Sequence, residues 1–379
     1  MAYETEDHET QYCFPAINSS CFKGKRSRHE YNIMYVFVSL LSAWTVFLNL
    51  LVIISISHFK KLHTPTNLII LSLAVADLFT GLIVMPVDAI NLIETCWYFG
   101  DTLCALFMEI MGVIISASLS NLVLIAIDRY VAVCHPLLYP QKITTTKALM
   151  TICLFWFCSS AYITGLLSSN GRFDTSHKTD ACYGECYFML SFTWKVTDLF
   201  MSLLFPCTLI ITLYLRIFYV VHQQVKVINS LMKGGKCVME GSVRRKSESK
   251  AALTLGIIVA IHILCWLPLY IFSLAGNTVM STVVMNFLTW VFYINSGLNP
   301  LIYALFYPWF RRSFKHILSL KIFQSTSSLV DILIIDHSLV LYFTMKLCFS
   351  FQNGKAHFQA APSDIMQHKQ YYTLHFMLL

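Results

Sequence analysis

The chain has 379 residues, 56% of them hydrophobic and only 12% charged, with a net charge of +7 and a mean hydropathy of +0.63. A soluble domain carries about a quarter charged residues; half that share cannot clothe a compact globule, which excludes a soluble enzyme, a disordered chain and a fibrous repeat. Lys and Arg fall in short patches between apolar stretches rather than in one basic domain, which argues against nucleic acid and for a membrane protein.

Residues 1–32 are polar and begin with the acids Glu4, Glu6, Asp7 and Glu9. They are expected to form an extracellular segment without a cleavable leader, so that the first apolar stretch itself starts insertion. Seven stretches, 33–58, 67–92, 104–130, 147–168, 192–222, 251–275 and 284–306, are each long enough to cross about 30 Å of hydrocarbon. The spacing predicts an all-α membrane protein, a seven-transmembrane helix bundle over 33–306. Lys60 and Lys61, then Lys142 and Lys147, then Lys226, Lys233, Lys236, Arg244, Arg245, Lys246 and Lys250 occupy alternate connectors. Arg311, Arg312 and Lys315 follow the last span. Placing these on the cytoplasmic side leaves the N-terminus outside.

The outer side agrees independently. Asn18-Ser19-Ser20 is a glycosylation sequon, useful only on a lumenal segment. Cys13, Cys21, Cys96, Cys104, Cys182 and Cys186 all lie in or beside external connectors, where oxidation is possible. After the seventh span, 307–321 is expected to form a short amphipathic helix lying along the membrane. Residues 322–379 receive no functional assignment. Asp331, Asp336, His337 and Lys346 interrupt the apolar run 329–349. Each central Asp costs roughly 2.5–3.5 kcal/mol on insertion, so no eighth span is expected.

Polar groups inside spans are costly and functional by default. Asn49, Asp77, Asn295 and Asn299 are candidates for one internal polar cluster, and Pro300 kinks the helix directly after Asn299. Pro86, Pro206 and Pro268 interrupt the second, fifth and sixth spans. Asp128-Arg129-Tyr130 closes the third span at the cytoplasmic edge, and Glu248, just before the sixth, offers Arg129 a carboxylate that could be exchanged in a switch. No internal repetition suggests a transporter. No HExxH or GxSxG motif, and no CxxC pair, suggests an enzyme or a metal site; His262 stands alone in its span. No catalytic residue and no cofactor is expected.

Asn49, Leu73-Ala74-Val75-Ala76-Asp77, Asp128-Arg129-Tyr130, Trp156, Pro206, Cys265-Trp266-Leu267-Pro268 and Asn299-Pro300-Leu301-Ile302-Tyr303 follow in order, one set per helix. The series resembles that of the rhodopsin-like G-protein-coupled receptors, over roughly residues 10–322. The run Asn295 to Phe310, ending Tyr307-Pro308-Trp309-Phe310, resembles the seventh-helix fingerprint of the trace amine-associated receptors. Cys13-Phe14-Pro15, Cys96-Trp97-Tyr98-Phe99-Gly100 and Cys182-x-Gly184-x-Cys186 resemble the same family; Leu48 departs from it, where Gly is usual. The resemblance implies a receptor for volatile amines in the plasma membrane, in the cilia of olfactory sensory neurons. It implies coupling to a stimulatory G protein that raises cyclic AMP, with arrestin and a receptor kinase as further partners beside membrane lipid. Asp128, Arg129, Tyr130, Glu248, Asp77, Asn299, Pro300 and Tyr303 would carry activation. It also implies a Cys104–Cys186 staple and a bond from Cys182 to either Cys13 or Cys21.

Aminergic relatives usually hold the ammonium with a third-helix Asp eighteen positions before the motif Arg; here that position is Met111. A cation entering a Met-lined site without a counter-ion loses hydration for little return. Asp198, about two turns outside Pro206, offers a substitute, and the arrangement resembles that of fish members of the family with the acid on the fifth helix. Its alternative is an ion pair with Lys195, one turn earlier. Asp88 either faces the pocket, where a second acid would favour a diamine over a monoamine, or is a solvated helix end. Trp266, Tyr270 and Tyr293 are candidate aromatic walls. Ser202 is expected to bond its own helix backbone. A receptor for a neutral ligand is the rival reading, favoured by Met111 and opposed by Asp198.

Overall fold

The computed structural model describes residues 12–24, 26–169, 182–186, 191–233, 256–272 and 282–323, and every regular element among them is helical. Helix α1 spans Arg28–His58 and begins ahead of its apolar stretch. A cap sets that start: Glu30 N donates to Ser27 Oγ at 3.2 Å and Ser27 N donates to Glu30 Oε2 at 3.1 Å. Helix α2, Pro65–Glu94, is capped by Thr64, whose hydroxyl accepts from Asn67 N, with Pro65 in the first turn, where its missing N–H costs nothing.

Two of the four expected proline interruptions take the same form. α2 widens into a π turn over Thr80–Val84, just before Pro86. Helix α5 runs Phe192–Leu199, widens over Phe200–Leu204 and continues from Phe205 to Lys233 with Pro206 in its new first turn. A proline has no N–H and crowds the carbonyl four residues back, and an extra residue in the preceding turn relieves both problems.

Between these lie α3, Gly100–Cys134, and α4, Thr145–Ser169, joined through the one-turn helix Tyr139–Lys142. Helix α6 is described over Gly256–Phe272; α7 is Thr282–Phe306 with Pro300 inside it, and α8 is Pro308–Leu318. α1 to α5 are long and apolar enough to cross a membrane by length and composition, and α7, bearing Asn286, Asn295, Asn299 and Pro300, completes the bundle of seven. Short α8 carries Arg311, Arg312 and Lys315 on one side while Trp309, Phe310 and Ser313 are buried, the amphipathic pattern of a helix lying along the surface.

α3 is the central post. At the cytoplasmic half Leu122 and Ile125 pack among Leu73, Tyr214, Ile258 and Tyr303; at the outer half Phe107, Met108 and Ile114 pack among Met85, Ile163, Trp266 and Phe292. α3 and α4 meet so closely at Gly112 that a Cβ there would stand 2.9 Å from Ile163 Cγ2. Outward faces are apolar instead of polar: Leu40, Trp44 and Phe47 of α1 and Met150 and Phe157 of α4 are exposed, as lipid-facing side chains are.

Three disulfides seal the outer end: Cys13–Cys96, Cys21–Cys182 and Cys104–Cys186. Of the two partners left open for Cys182, Cys21 is the one used, and Cys96, expected only as an oxidisable loop cysteine, takes Cys13. Both bonds rest on loop placement. Thr95 turns left-handed (φ 57°) to end α2, and the N-terminal segment lies along the second external loop, Cys21 N donating to Tyr183 O at 3.0 Å and Tyr183 N to Ser19 O at 2.7 Å. Asn18 is exposed within that segment.

Candidate functional site

Beneath the disulfide-bound lid, Asp198 projects from α5 two residues before the π turn. Tyr162 OH of α4 donates to its Oδ1 at 3.0 Å, Ser202 Oγ to the same oxygen at 2.7 Å, and Tyr270 OH of α6 to Oδ2 at 3.4 Å. Three helices thus aim neutral donors at one carboxylate. Among the described residues no ammonium or guanidinium lies within ion-pairing distance of it; the alternative pair with Lys195 does not form. Ser202 bonds this carboxylate and not its own backbone, a correction to the expectation from sequence. The two residues are four apart, so they share a face, and an ionised acceptor outcompetes a carbonyl already engaged in the helix.

From Asp198 a row of rings crosses the pocket floor. Tyr270 stacks on Trp266 with centroids 6.1 Å apart, Trp266 meets Phe292 at 4.7 Å, and Phe292 meets Tyr293 at 5.2 Å. At the far end Tyr293 OH donates to Asp88 Oδ2 at 2.6 Å. Asp88 is therefore half-buried and tied across to α7, not a solvated helix end. Asn91, three residues on and on the same face, donates to Cys186 O of the lid at 3.1 Å. Met111 packs with Trp266 and Tyr270 in the same apolar cluster. Glu109, near it in sequence, accepts from Thr164 Oγ1 of α4 at 2.6 Å and is taken up there.

Deeper in the bundle lies the expected polar cluster. Asn299 Nδ2 donates to Asp77 Oδ2 at 2.8 Å, and these two line one cavity with Ser118, His262, Trp266 and Asn295. Asn49 ties α1 to α7 at the edge of the same cluster, donating at 3.1 Å to the carbonyl of Ser296, which lines that cavity. His262, solitary in the sequence, is buried, stacks on Trp266 with centroids 4.7 Å apart and meets Asn295 Nδ2 through Nδ1 at 3.1 Å. Pro300 and the buried Tyr303 lie one turn below.

At the cytoplasmic edge Arg129 holds Asp128 with Nε at 2.9 Å and also reaches Thr66 Oγ1, which itself donates to Asp128 Oδ2 at 2.8 Å. Tyr139 OH donates to Asp128 Oδ1 at 2.8 Å. Burial, helped by the charge of Asp128, pushes the Tyr139 phenol up to about 12, so it stays a donor at every physiological pH. Glu248, the partner expected for Arg129, lies outside the described residues; Tyr130 stacks edge-on against His135.

Sequence reasoning missed Tyr162, Thr66 and Tyr139. Tyr162 and Tyr139 carry no local signal, because their roles depend on where neighbouring helices fall. Ser202 was readable from its spacing to Asp198.

A seven-helix bundle with an arginine–carboxylate lock at one end and a lidded pocket at the other defines a membrane receptor. The chain matches the 7 transmembrane receptor (rhodopsin family) over residues 48–303. It is 39% identical over 329 residues to Trace amine-associated receptor 13c of Danio rerio, covering 85% of this chain and 96% of the relative. It is likewise 39% identical over 326 residues to Trace amine-associated receptor 9 of Rattus norvegicus (84% and 96%), and 36% over 336 residues to Trace amine-associated receptor 5 of Homo sapiens (86% and 96%). The chain belongs to the trace amine-associated receptors of the rhodopsin family. It is a multi-pass membrane receptor and not an enzyme, of a class that takes a small ligand and signals through a heterotrimeric G protein.

Proposed function

We propose that this receptor senses small, volatile amines whose ammonium is held by Asp198, and that it signals through a stimulatory G protein to raise cyclic AMP, in the cilia of olfactory sensory neurons. The observation that carries the reading is a carboxylate served by Tyr162, Ser202 and Tyr270 with no cation at ion-pairing distance among the described residues. Neutral donors orient a carboxylate without cancelling its charge, and an entering ammonium would supply a counter-ion. A charge-assisted bond of this kind is worth roughly 1.5–3 kcal/mol net. The ligand would lie with its amine toward α5 and its body against Met111 and Trp266.

Tyr270 is the longest of the three bonds and comes from α6, so it is the contact an ammonium at Oδ2 would most readily displace. Binding then biases α6 directly, and the driving force is the difference in amine affinity between the two arrangements of the bundle. At the inner end Arg129 would leave Asp128 and Glu248 for the G protein; arrestin and a receptor kinase would follow at the same face. Asn18 would carry the glycan.

Cyclic AMP is measured in cells expressing the receptor against a panel of amines, with Asp198→Asn and Asp198→Ala beside the parent at matched surface level. Loss of potency by about ten-fold or more, roughly 1.4 kcal/mol, supports the anchor. Variants that respond like the parent, or activation by neutral compounds alone, would establish the rival reading that Met111 favours.

A further inference from the structure

We propose that the surface where the first cytoplasmic loop meets α8 binds a phosphoinositide headgroup of the inner leaflet, with Lys60 and Lys61 on one side of it and Arg312 and Lys315 on the other. The two sides come from distant parts of the sequence and are rooted in one core. Phe59 and Leu62 of the loop and Trp309 and Phe310 of α8 are buried in the same cluster as Tyr303. Phe59 meets His316 edge-on with ring centroids 5.7 Å apart, which sets loop and helix side by side. Lys60 and Lys61 belong to a single tight turn, Lys60–Leu62, closed by Leu62 N donating to Phe59 O at 2.8 Å. Arg312 precedes His316 by one helical turn and so shares the side of α8 that meets this loop; Lys315 is exposed beside it.

The charge of this surface is one-sided. Between residues 56 and 76, and again between 299 and 323, the sequence has no Asp or Glu, while the same stretches carry Lys60, Lys61, Arg311, Arg312, Lys315 and Lys321. Asp128, the carboxylate that the described residues place at this end of the bundle, is already held by Arg129, Thr66 and Tyr139. Arg311 turns toward the end of α7, where its Nη1 donates to Ala304 O at 3.1 Å, which leaves Arg312 and Lys315 as the cations of α8 nearest the loop.

Clustered cations directly cytoplasmic of a membrane helix attract anionic lipid, but diffuse attraction does not choose among headgroups. Cations fixed on two packed elements do. A phosphatidylserine head has a single net negative charge, whereas each monoester phosphate of a phosphoinositide carries about −1.5 to −2 and three acceptor oxygens. Arg312 can hold such a phosphate through two parallel bonds, with the lysines as point charges around it. Depth agrees. Leu318, Leu320 and Phe323 follow the cations as exposed apolar side chains; entering the acyl boundary, they would keep α8 at headgroup level. A headgroup carried by a lipid arrives at that depth, which favours the lipid over a soluble inositol phosphate.

The full-length receptor is purified in micelles, and its dissociation constants for phosphatidylinositol bisphosphate and phosphatidylserine are read by native mass spectrometry. The expected result is a preference of about ten-fold or more for the phosphoinositide in the parent. It should be lost in Lys60→Gln/Lys61→Gln and in Arg312→Gln/Lys315→Gln alike. It should be kept in Lys142→Gln/Lys147→Gln, which removes the same charge from exposed positions between α3 and α4. No preference in the parent, a preference that survives either pair, or an equal loss in the control pair overturns the proposal. If a change at half-buried Lys61 or Arg312 prevents folding, the exposed pair Lys60→Gln/Lys315→Gln decides by the same criterion. Soluble inositol trisphosphate binding as tightly as the lipid overturns the membrane assignment. Unchanged lipid binding in variants that lose coupling to the G protein reassigns the surface to a protein partner. The lipid constants do not depend on which ligand fills the outer pocket.

Discussion

Cutting the Cys13–Cys96 bond tests how the lid is held. The bridge spans 83 positions, but most of those residues sit in α1 and the adjoining α2, which already pack side by side. The chain actually closed by the bond is the stretch from Cys13 to the Ser27 cap, about 15 residues, for which chain entropy predicts roughly 3 kcal/mol. Spread over a domain of this size, at about 2–4 °C per kcal/mol, the Cys13→Ser/Cys96→Ser variant should melt roughly 6–12 °C below the parent in detergent. Either single substitution should lose about as much as the double, because each opens the same bond. Peptide mapping without reductant should recover Cys13 joined to Cys96 and Cys21 joined to Cys182. Recovery of Cys13 joined to Cys182, or single losses that sum to the double, would refute the pairing and the lid built on it.

Other outcomes follow from single contacts. Gly112→Ala should destabilise by about 1–3 kcal/mol through overpacking against Ile163, and Ile163→Val beside it should restore part of the loss in a thermal assay. His262→Leu leaves the Asn295 amide without its partner and should cost about 1–3 kcal/mol in the same assay, much of it recovered when Asn295→Leu is added. Tyr139→Phe removes one donor from Asp128 and loosens its hold on Arg129. On the proposed coupling, and with that bond worth about 1 kcal/mol, basal cyclic AMP should rise about five-fold; an unchanged basal level in a variant whose parent does raise cyclic AMP would show that Thr66 and Arg129 hold Asp128 alone.

Most of the bundle was legible because the bilayer imposes a long apolar run on every span, and the seven runs survive as α1 to α7. What hydropathy does not encode is where a helix actually starts. α1 begins at Arg28 because Ser27 and Glu30 cap it, a signature readable in the sequence but easily hidden by the apolar stretch that follows. Proline positions pointed to breaks in the second, fifth and sixth spans and a kink at Pro300; α6 instead runs unbroken through Pro268, and the form taken before Pro86 and Pro206, a widened turn on the N-terminal side, depends on which carbonyl the ring displaces. The Cys13–Cys96 bond was illegible, since either N-terminal cysteine could reach several loops and only the path of the segment along Tyr183 separates them. In the pocket, the acids were visible as charges in apolar surroundings, whereas the tyrosines that hold them come from other helices and carry no local mark.

The placement of Asp198 also bears on why the proposed anchor on α5 would be a workable substitute for one at Met111. α3 is the central post of the bundle, and a ligand held there would pull on one of its most buried elements. α5 bears Asp198 just outside a π turn, where the hydrogen-bond register is already relaxed, and Tyr270 links the same carboxylate to α6. From Tyr270 contacts continue through Trp266 to His262, Asn295 and the cavity shared with Asp77 and Asn299. Contiguity alone does not transmit a signal; a two-state element must be biased at both ends. Here α6 is that element on the proposed reading: an ammonium competes with Tyr270 at its outer end, and the proposed exchange of Glu248 for the G protein at Arg129 would act on its inner one. Tyr270→Phe separates the two roles, because it removes the outer tie while leaving Asp198 and its other donors in place. Basal cyclic AMP should rise and the maximal amine response should shrink relative to basal; a variant whose efficacy and basal level both match the parent would place the coupling elsewhere than in this bond.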